Sequence, residues 1–262
     1  MSLITYLRRR FGRRPASAPA TALRRKVRVR ETPGVDFRAA GDMYLRWFVD
    51  LGGLTPDQAV LEPGCGTGRM AQPLTGYLDA TGSYDGFDVV RNAIEWCEEN
   101  IAPKHPNFHF RHVNVLNGVY NPEGQLDPET FEFPYPDESF DFAFLTSVFT
   151  HMLPPELRHY LQEIRRVLRP QGRCLMTFFL LNEESLDAAR AGRAKRRFAH
   201  EGDGYFYDIA RRPEAAVAYR EEDVLGFLEQ ASFELHAPIR YGRWTGRQSQ
   251  GAGQDMLVVK PA

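Results

Sequence analysis

Val60-Leu61-Glu62-Pro63-Gly64-Cys65-Gly66-Thr67-Gly68-Arg69-Met70 reads as a buried strand that runs into a glycine-rich turn and then a helix. An acidic residue closes the strand, and glycines follow at every second position. Glycine takes positive φ without steric cost and leaves no Cβ between the backbone and a ligand. A helix that starts behind such a turn points free N–H groups and its dipole at whatever lies there. The segment predicts a nucleotide-like ligand. Its spacing departs from the dinucleotide fingerprint G-x-G-x-x-G, because Arg69 stands where the last glycine belongs and Gly68 falls one place early. Glu62 would repel a pyrophosphate but suits a ligand with an ammonium or sulfonium charge.

Tyr84-Asp85-Gly86-Phe87-Asp88-Val89-Val90 is an apolar strand that ends on a carboxylate. Asp88 lies roughly 20 residues beyond the glycines, where an acidic strand end accepts hydrogen bonds from ribose hydroxyls. Val89 can pack on an adenine face. The alternative for Asp88 is a cap on the helix Arg91–Asn100. A third strand, Phe108–Val115, ends on Asn114 and Val115, and a side-chain amide can both accept from and donate to a purine edge. A fourth, within Phe133–Met152, leads to Thr146 and His151. Leu157–Leu168 is then apolar at helical spacing, Pro170-Gln171-Gly172 ends that helix, and the strand Arg173–Leu181 follows.

Together, E-x-G-x-G-x-G and the segments collinear with it over Val60–Leu181 resemble the class I S-adenosylmethionine (SAM) methyltransferases. The resemblance implies an α/β fold: a Rossmann-like, doubly wound, seven-stranded sheet with an antiparallel last strand. Ser232–Ile239 and Asp255–Val259 would be its sixth and seventh strands. It also implies SAM as cofactor, held by Glu62, Gly64, Cys65, Gly66, Asp88, Val89, Asn114, Val115 and Thr146. Asn114 departs from the family's more usual Asp. The family's exocyclic-amine methylators carry Asn/Asp-Pro-Pro-aromatic after the fourth strand, and that motif is absent here.

Two insertions bear on the acceptor. Leu116–Phe131 is turn-rich, and Leu181–Tyr219 is a long connection that reads as a lid, with a basic helix-like piece at Arg190–Arg197. Tyr205 and Tyr207 in that lid, and Tyr241, Trp244 and Arg247 in a later loop, are candidate acceptor contacts, since aromatic faces stack on sugar rings and Arg donates in a fixed fork. For the loop, a hairpin with buried aromatics is the other reading. Tyr44, on an amphipathic helix before the first strand, is a further candidate, with core packing as its alternative. An alcohol is a poor nucleophile until its proton is removed, so a hydroxyl acceptor calls for a general base or a metal. His151 is the candidate base, with packing of the following turn as the alternative. No metal-ligand motif appears, so a divalent ion such as Mg is admitted but not indicated.

The chain has 262 residues and a net charge of −1, enough for one sizeable α/β core. Its three scattered cysteines form no metal or disulfide framework, and no spanning segment or signal peptide is visible, which predicts a cytoplasmic protein. Residues 1–30 hold ten basic residues and no acidic one, against 23 basic and 34 acidic in the rest. The expected layout is a basic arm and linker over 1–34, then a methyltransferase domain over 35–262 with the lid at 181–219. The arm is either a solvated tail or a docking element for an anionic membrane or acidic partner. The acidic body disfavours nucleic acid. The expected function is O-methylation of a small molecule or glycan. Val35–Lys260 looks like a bacterial subgroup near polysaccharide-modifying genes, and it resembles the actinobacterial sugar O-methyltransferases of methylmannose polysaccharide synthesis. A lipid or natural-product hydroxyl, or a non-catalytic SAM-binding module, stays open, as does the oligomeric state.

Overall fold

The computed structural model describes residues 36–248 and 252–262; the basic arm and its linker lie outside the described residues. Two compact units divide between Val113 and Asn114.

In the first unit, helix α1 (Phe37–Asp50) starts at Asp36, whose side chain accepts the Arg38 N–H, and it buries Phe37, Tyr44, Leu45, Trp47 and Phe48. Strand β1 (Ala59–Pro63) enters the glycine turn, and the short helix α2 (Ala71–Leu74) leaves it. Strand β2 (Ser83–Asp88), helix α3 (Arg91–Asn100) and strand β3 (Phe108–His112) follow. β1, β2 and β3 are parallel neighbours in that order, which places Glu62 and Asp88 at or beside carboxyl ends of strands.

In the second unit, β4 (Phe140–Leu145) pairs in parallel with β5 (Leu168–Phe178), and helix α4 (Pro154–Val167) connects them. The helix ends at Val167, three residues before Pro170, because the strand already begins at Leu168. β6 (Leu180–Leu181), helix α5 (Glu183–Arg190), β7 (His200–Gly202), β8 (Tyr205–Tyr207) and β9 (Val217–Arg220) make up the long insertion. Helix α6 (Glu221–Gln230), β10 (Phe233–Leu235) and β11 (Asp255–Pro261) complete the chain. β11 runs antiparallel to both β5 and β10, so it alone is reversed. These strands make the seven-stranded, mixed, Rossmann-like sheet that the sequence predicts.

The insertion is more ordered than its sequence suggests. β6, β9, β8 and β7 form a second, four-stranded sheet with its own apolar cluster of Phe179, Leu181, Phe198, Ala216, Ala218 and Trp244. The helix expected at Arg190–Arg197 is displaced to Glu183–Arg190. Asn182 caps it by accepting the Ser185 N–H, while Ser185 Oγ accepts the Asn182 N–H. Cap chemistry outweighed the run of helix-forming basic residues.

Asp255 pins this cluster to the main sheet. Its buried carboxylate accepts from Leu180 N at 2.8 Å, Gly242 N at 2.7 Å and Trp244 Nε1 at 2.8 Å. Asp255→Ala leaves three buried donors without an acceptor, so urea unfolding should show a loss of about 3–5 kcal/mol. Asp255→Asn, which keeps one acceptor oxygen, should lose less.

Candidate functional site

The glycine turn is held by its neighbours in the first unit. Gly66 has φ +52°, donates its N–H to Asp88 Oδ2 at 2.7 Å, and a Cβ on it would meet nothing within 4 Å. The turn therefore presents open space on the face where a ligand would lie. Gly68, at φ +70°, does the packing: a Cβ there would stand 2.6 Å from Ile101 Cδ1 and 3.3 Å from Cys97 Sγ. Cys65 is buried, and burial pushes its thiol well above the ordinary range.

Asp88 also accepts the Val90 N–H on Oδ1 at 2.8 Å, so its carboxylate braces the turn and the start of α3 together. Both oxygens keep acceptor capacity for a ligand hydroxyl. Burial raises the Asp88 pKa, and these backbone N–H groups oppose the rise. Val89 follows, half-buried. Glu62 is buried and accepts from Tyr84 Oη; burial pushes its carboxyl well above the carboxylate range, with the Tyr84 hydrogen bond and the Arg69 charge pulling back.

Directly after the glycines, Thr67 Oγ1 and both amide atoms of Gln72 are buried without a hydrogen-bond partner. Buried polar atoms are seldom left so. Sequence reasoning passed over both residues. This open glycine face and the strand-end carboxylates fit a nucleoside ligand bearing a cationic amino-acid tail.

In the second unit, Asn114 Oδ1 accepts from Asn121 Nδ2 at 3.1 Å, and Val115 is buried. Thr146, also buried, directly follows β4. Ser147 beside it sits at φ +61°, unusual for a residue with a side chain. It is held there by its N–H on Thr177 Oγ1 at 2.8 Å and its hydroxyl on Gln254 Oε1 at 3.0 Å. Gln254 thus fixes the segment that leads to His151, a role with no sequence signal.

His151 lies on the short helical turn Phe149–His151. Its Nδ1 is 2.8 Å from the Glu214 carbonyl oxygen, and Tyr120 Oη is 3.4 Å from its Nε2. A carbonyl only accepts, so the proton resides on Nδ1 and Nε2 carries the basic lone pair. Tyr120 and Glu214, one from each insertion, complete a group that sequence reasoning represented by His151 alone.

The candidate acceptor residues divide. Tyr205 and Tyr207 lie half-buried on β8, with ring centroids 5.7 Å apart, and β8 packs on the turn Pro213–Ala215 that carries Glu214. Trp244 is a correction: its ring is buried among Phe179 and Phe198 and its N–H is spent on Asp255, so it is core. Tyr44 is likewise core, its buried ring set edge-on against Trp47. Tyr241 donates to Glu221, with the Arg247 guanidinium over its ring at 4.4 Å, and Arg247 pairs with Glu184. Tyr241 ties the late loop to the start of α6, and Arg247 ties it to the insertion.

A family model described as a methyltransferase domain matches residues 61–176. The chain is 36% identical over 124 residues to the phthiotriol/phenolphthiotriol dimycocerosates methyltransferase of Mycobacterium tuberculosis, covering 47% of this chain and 37% of that one. It is 28% identical over 127 residues to the O-methyltransferase cnsE of Penicillium expansum, covering 47% and 39%. The match thus spans less than half the length of these relatives. Among solved structures, a protein of Pyrococcus horikoshii OT3 superposes with a TM-score of 0.60 at 17% identity, over 91% of this chain and 99% of that one. Residues 61–176 thus match a methyltransferase domain, and the fold is shared with solved SAM-dependent methyltransferases, among them one from Aquifex aeolicus with a TM-score of 0.57 at 17% identity, over 91% of this chain and 98% of that one. Among the described residues, no helix is long and apolar enough to cross a membrane, and no group of three metal-ligating side chains stands together.

Glu156 accepts the Leu153 N–H at 2.9 Å at the start of α4, and burial pushes its carboxyl up to about 7. Its folded pKa exceeds its unfolded one, so its stabilisation is full below the ordinary carboxylate range and fades as pH rises towards 7. Thermal unfolding should show the midpoint of Glu156→Gln falling less than that of the parent across that interval, because the amide still accepts but does not ionise.

Proposed function

We propose that this protein transfers a methyl group from SAM to a hydroxyl of a small molecule or sugar unit, with His151 as general base. The observation that carries the reading is the fixed imidazole tautomer, with Nδ1–H on the Glu214 carbonyl and Nε2 left basic. When bound, SAM supplies a methyl group on a positively charged sulfur. The chain's own task is to orient the acceptor, exclude water and take the acceptor proton at Nε2.

In this reading Asp88 accepts the ribose hydroxyls, Asn114 meets the adenine, and the backbone at Gly64 and Gly66 lies along the amino-acid tail. Glu62, held towards its neutral form by burial, ionises against the ligand's positive charge. Val89, Val115, Cys65 and Thr146 shape the walls, and Tyr205 and Tyr207 offer ring faces to the acceptor. Residues 1–34 serve as a docking arm for an anionic surface or an acidic partner.

A second reading, a lipid-like acceptor, is favoured by Leu116 and Leu126. They are 43% and 45% exposed, are joined by the Leu116 N–H on the Leu126 carbonyl at 2.8 Å, and flank the turn that carries Tyr120. Such a pair suits an apolar chain next to the reacting hydroxyl. The mycobacterial relative's name is in keeping with it.

Two measurements test the proposal. Calorimetry with S-adenosylhomocysteine should give a loss of about 1.5–3 kcal/mol for Asp88→Ala, which removes a charged acceptor; unchanged affinity would remove Asp88 from the ribose site. With SAM and the hydroxylated acceptor that releases most S-adenosylhomocysteine in a screen, His151→Gln should lose roughly 10²–10⁴-fold in kcat at nearly unchanged cofactor affinity. Parental turnover should rise with pH through one ionisation, because only neutral imidazole accepts the proton. Near-normal turnover in His151→Gln excludes the base role.

A further inference from the structure

Glu214 faces two ways. Its backbone carbonyl takes His151 Nδ1–H, while its carboxylate Oε1 accepts the Gly118 N–H at 2.9 Å. Gly118 belongs to the turn 117–121 of the first insertion, and Glu214 belongs to the second. Approach is so close that a Cβ on Gly118 would overlap Glu214 Oε2. The turn is built by Asn117, whose Oδ1 accepts the N–H groups of Val119 at 3.1 Å and Tyr120 at 3.0 Å. Asn117 Nδ2 also donates to the His151 carbonyl at 3.3 Å. Tyr120 is thereby brought to His151, with its ring edge-on at 5.2 Å and its hydroxyl on the Nε2 side.

We propose that the Glu214 side chain is a positioning residue that clamps the turn 117–121 and so sets Tyr120 against the basic nitrogen of His151. The inference rests on the base role given to His151. Both insertions then act as one acceptor-positioning device, with Glu214 as the only residue that bonds the imidazole of His151 through its backbone and the turn through its side chain, among the hydrogen bonds described. Tyr120 limits the rotation of the imidazole and orients the acceptor hydroxyl that approaches it. A carboxylate is required only as an acceptor, so an amide at the same position serves.

The test compares Glu214→Ala, Glu214→Gln and Tyr120→Phe in the full-length protein. Hydrogen exchange read by mass spectrometry should show faster exchange at 118–121 in Glu214→Ala and parental exchange in Glu214→Gln. With SAM and the screened acceptor, Glu214→Ala should lower kcat by roughly 10- to 100-fold at unchanged S-adenosylhomocysteine affinity, and Glu214→Gln should restore it. Adding Glu214→Ala to Tyr120→Phe should cost little more, because both act through one contact. Unchanged exchange at 118–121 in Glu214→Ala, or fully additive losses in the double variant, overturns the proposal. Parental turnover in His151→Gln beside a lost clamp in Glu214→Ala would sink the base role and leave the clamp standing.

Discussion

The carboxylate of Asp88 is the constraint on which the glycine turn of the first unit rests. In the turn with three left-handed glycines, the Gly64 and Cys65 N–H groups go to the Phe87 carbonyl and that of Gly68 to the Cys65 carbonyl, while that of Gly66 needs a side-chain acceptor. Asp88 takes one of them at Gly66 and a second at Val90, so the end of β2 locks both the glycine turn and the entry to α3. The cap and the ligand contact that the sequence presented as alternatives are compatible on one carboxylate. Glu62 and Tyr84 add a buried polar pair one strand away, in which burial raises the carboxyl's pKa and the Tyr84 hydrogen bond opposes the rise.

In the proposed mechanism the second unit solves a different problem. A base is useful only if its lone pair is presented, and rotation of an exposed imidazole would scatter it. The Glu214 carbonyl fixes the tautomer, while Thr177 and Gln254 hold the strained Ser147 a few residues ahead. Strain at a non-glycine position directly after a strand end persists only where several hydrogen bonds over-determine it. The insertion supplies its share of this order because it is a folded four-stranded sheet with its own aromatic cluster.

What the sequence by itself determined is the local and periodic part. The strand, glycine turn and helix around Gly64–Gly68, the strand ending on Asp88, and the amphipathic helix at Leu157–Val167 are dictated by residues near each other in the chain. Conformational permissiveness and hydrophobic period are local properties, so they were legible. Tertiary structure alone decided which aromatics stay accessible and which are sealed in the core. Trp244 and Tyr44 carry the same composition signal as Tyr205 and Tyr207, yet they are buried by Phe179, Phe198 and Trp47. It also decided the roles of Glu214, Gln254 and Asp255, whose partners are roughly 11 to 107 residues distant in sequence. A hydrogen bond between groups that far apart has no period and no motif; it exists only once the chain has folded.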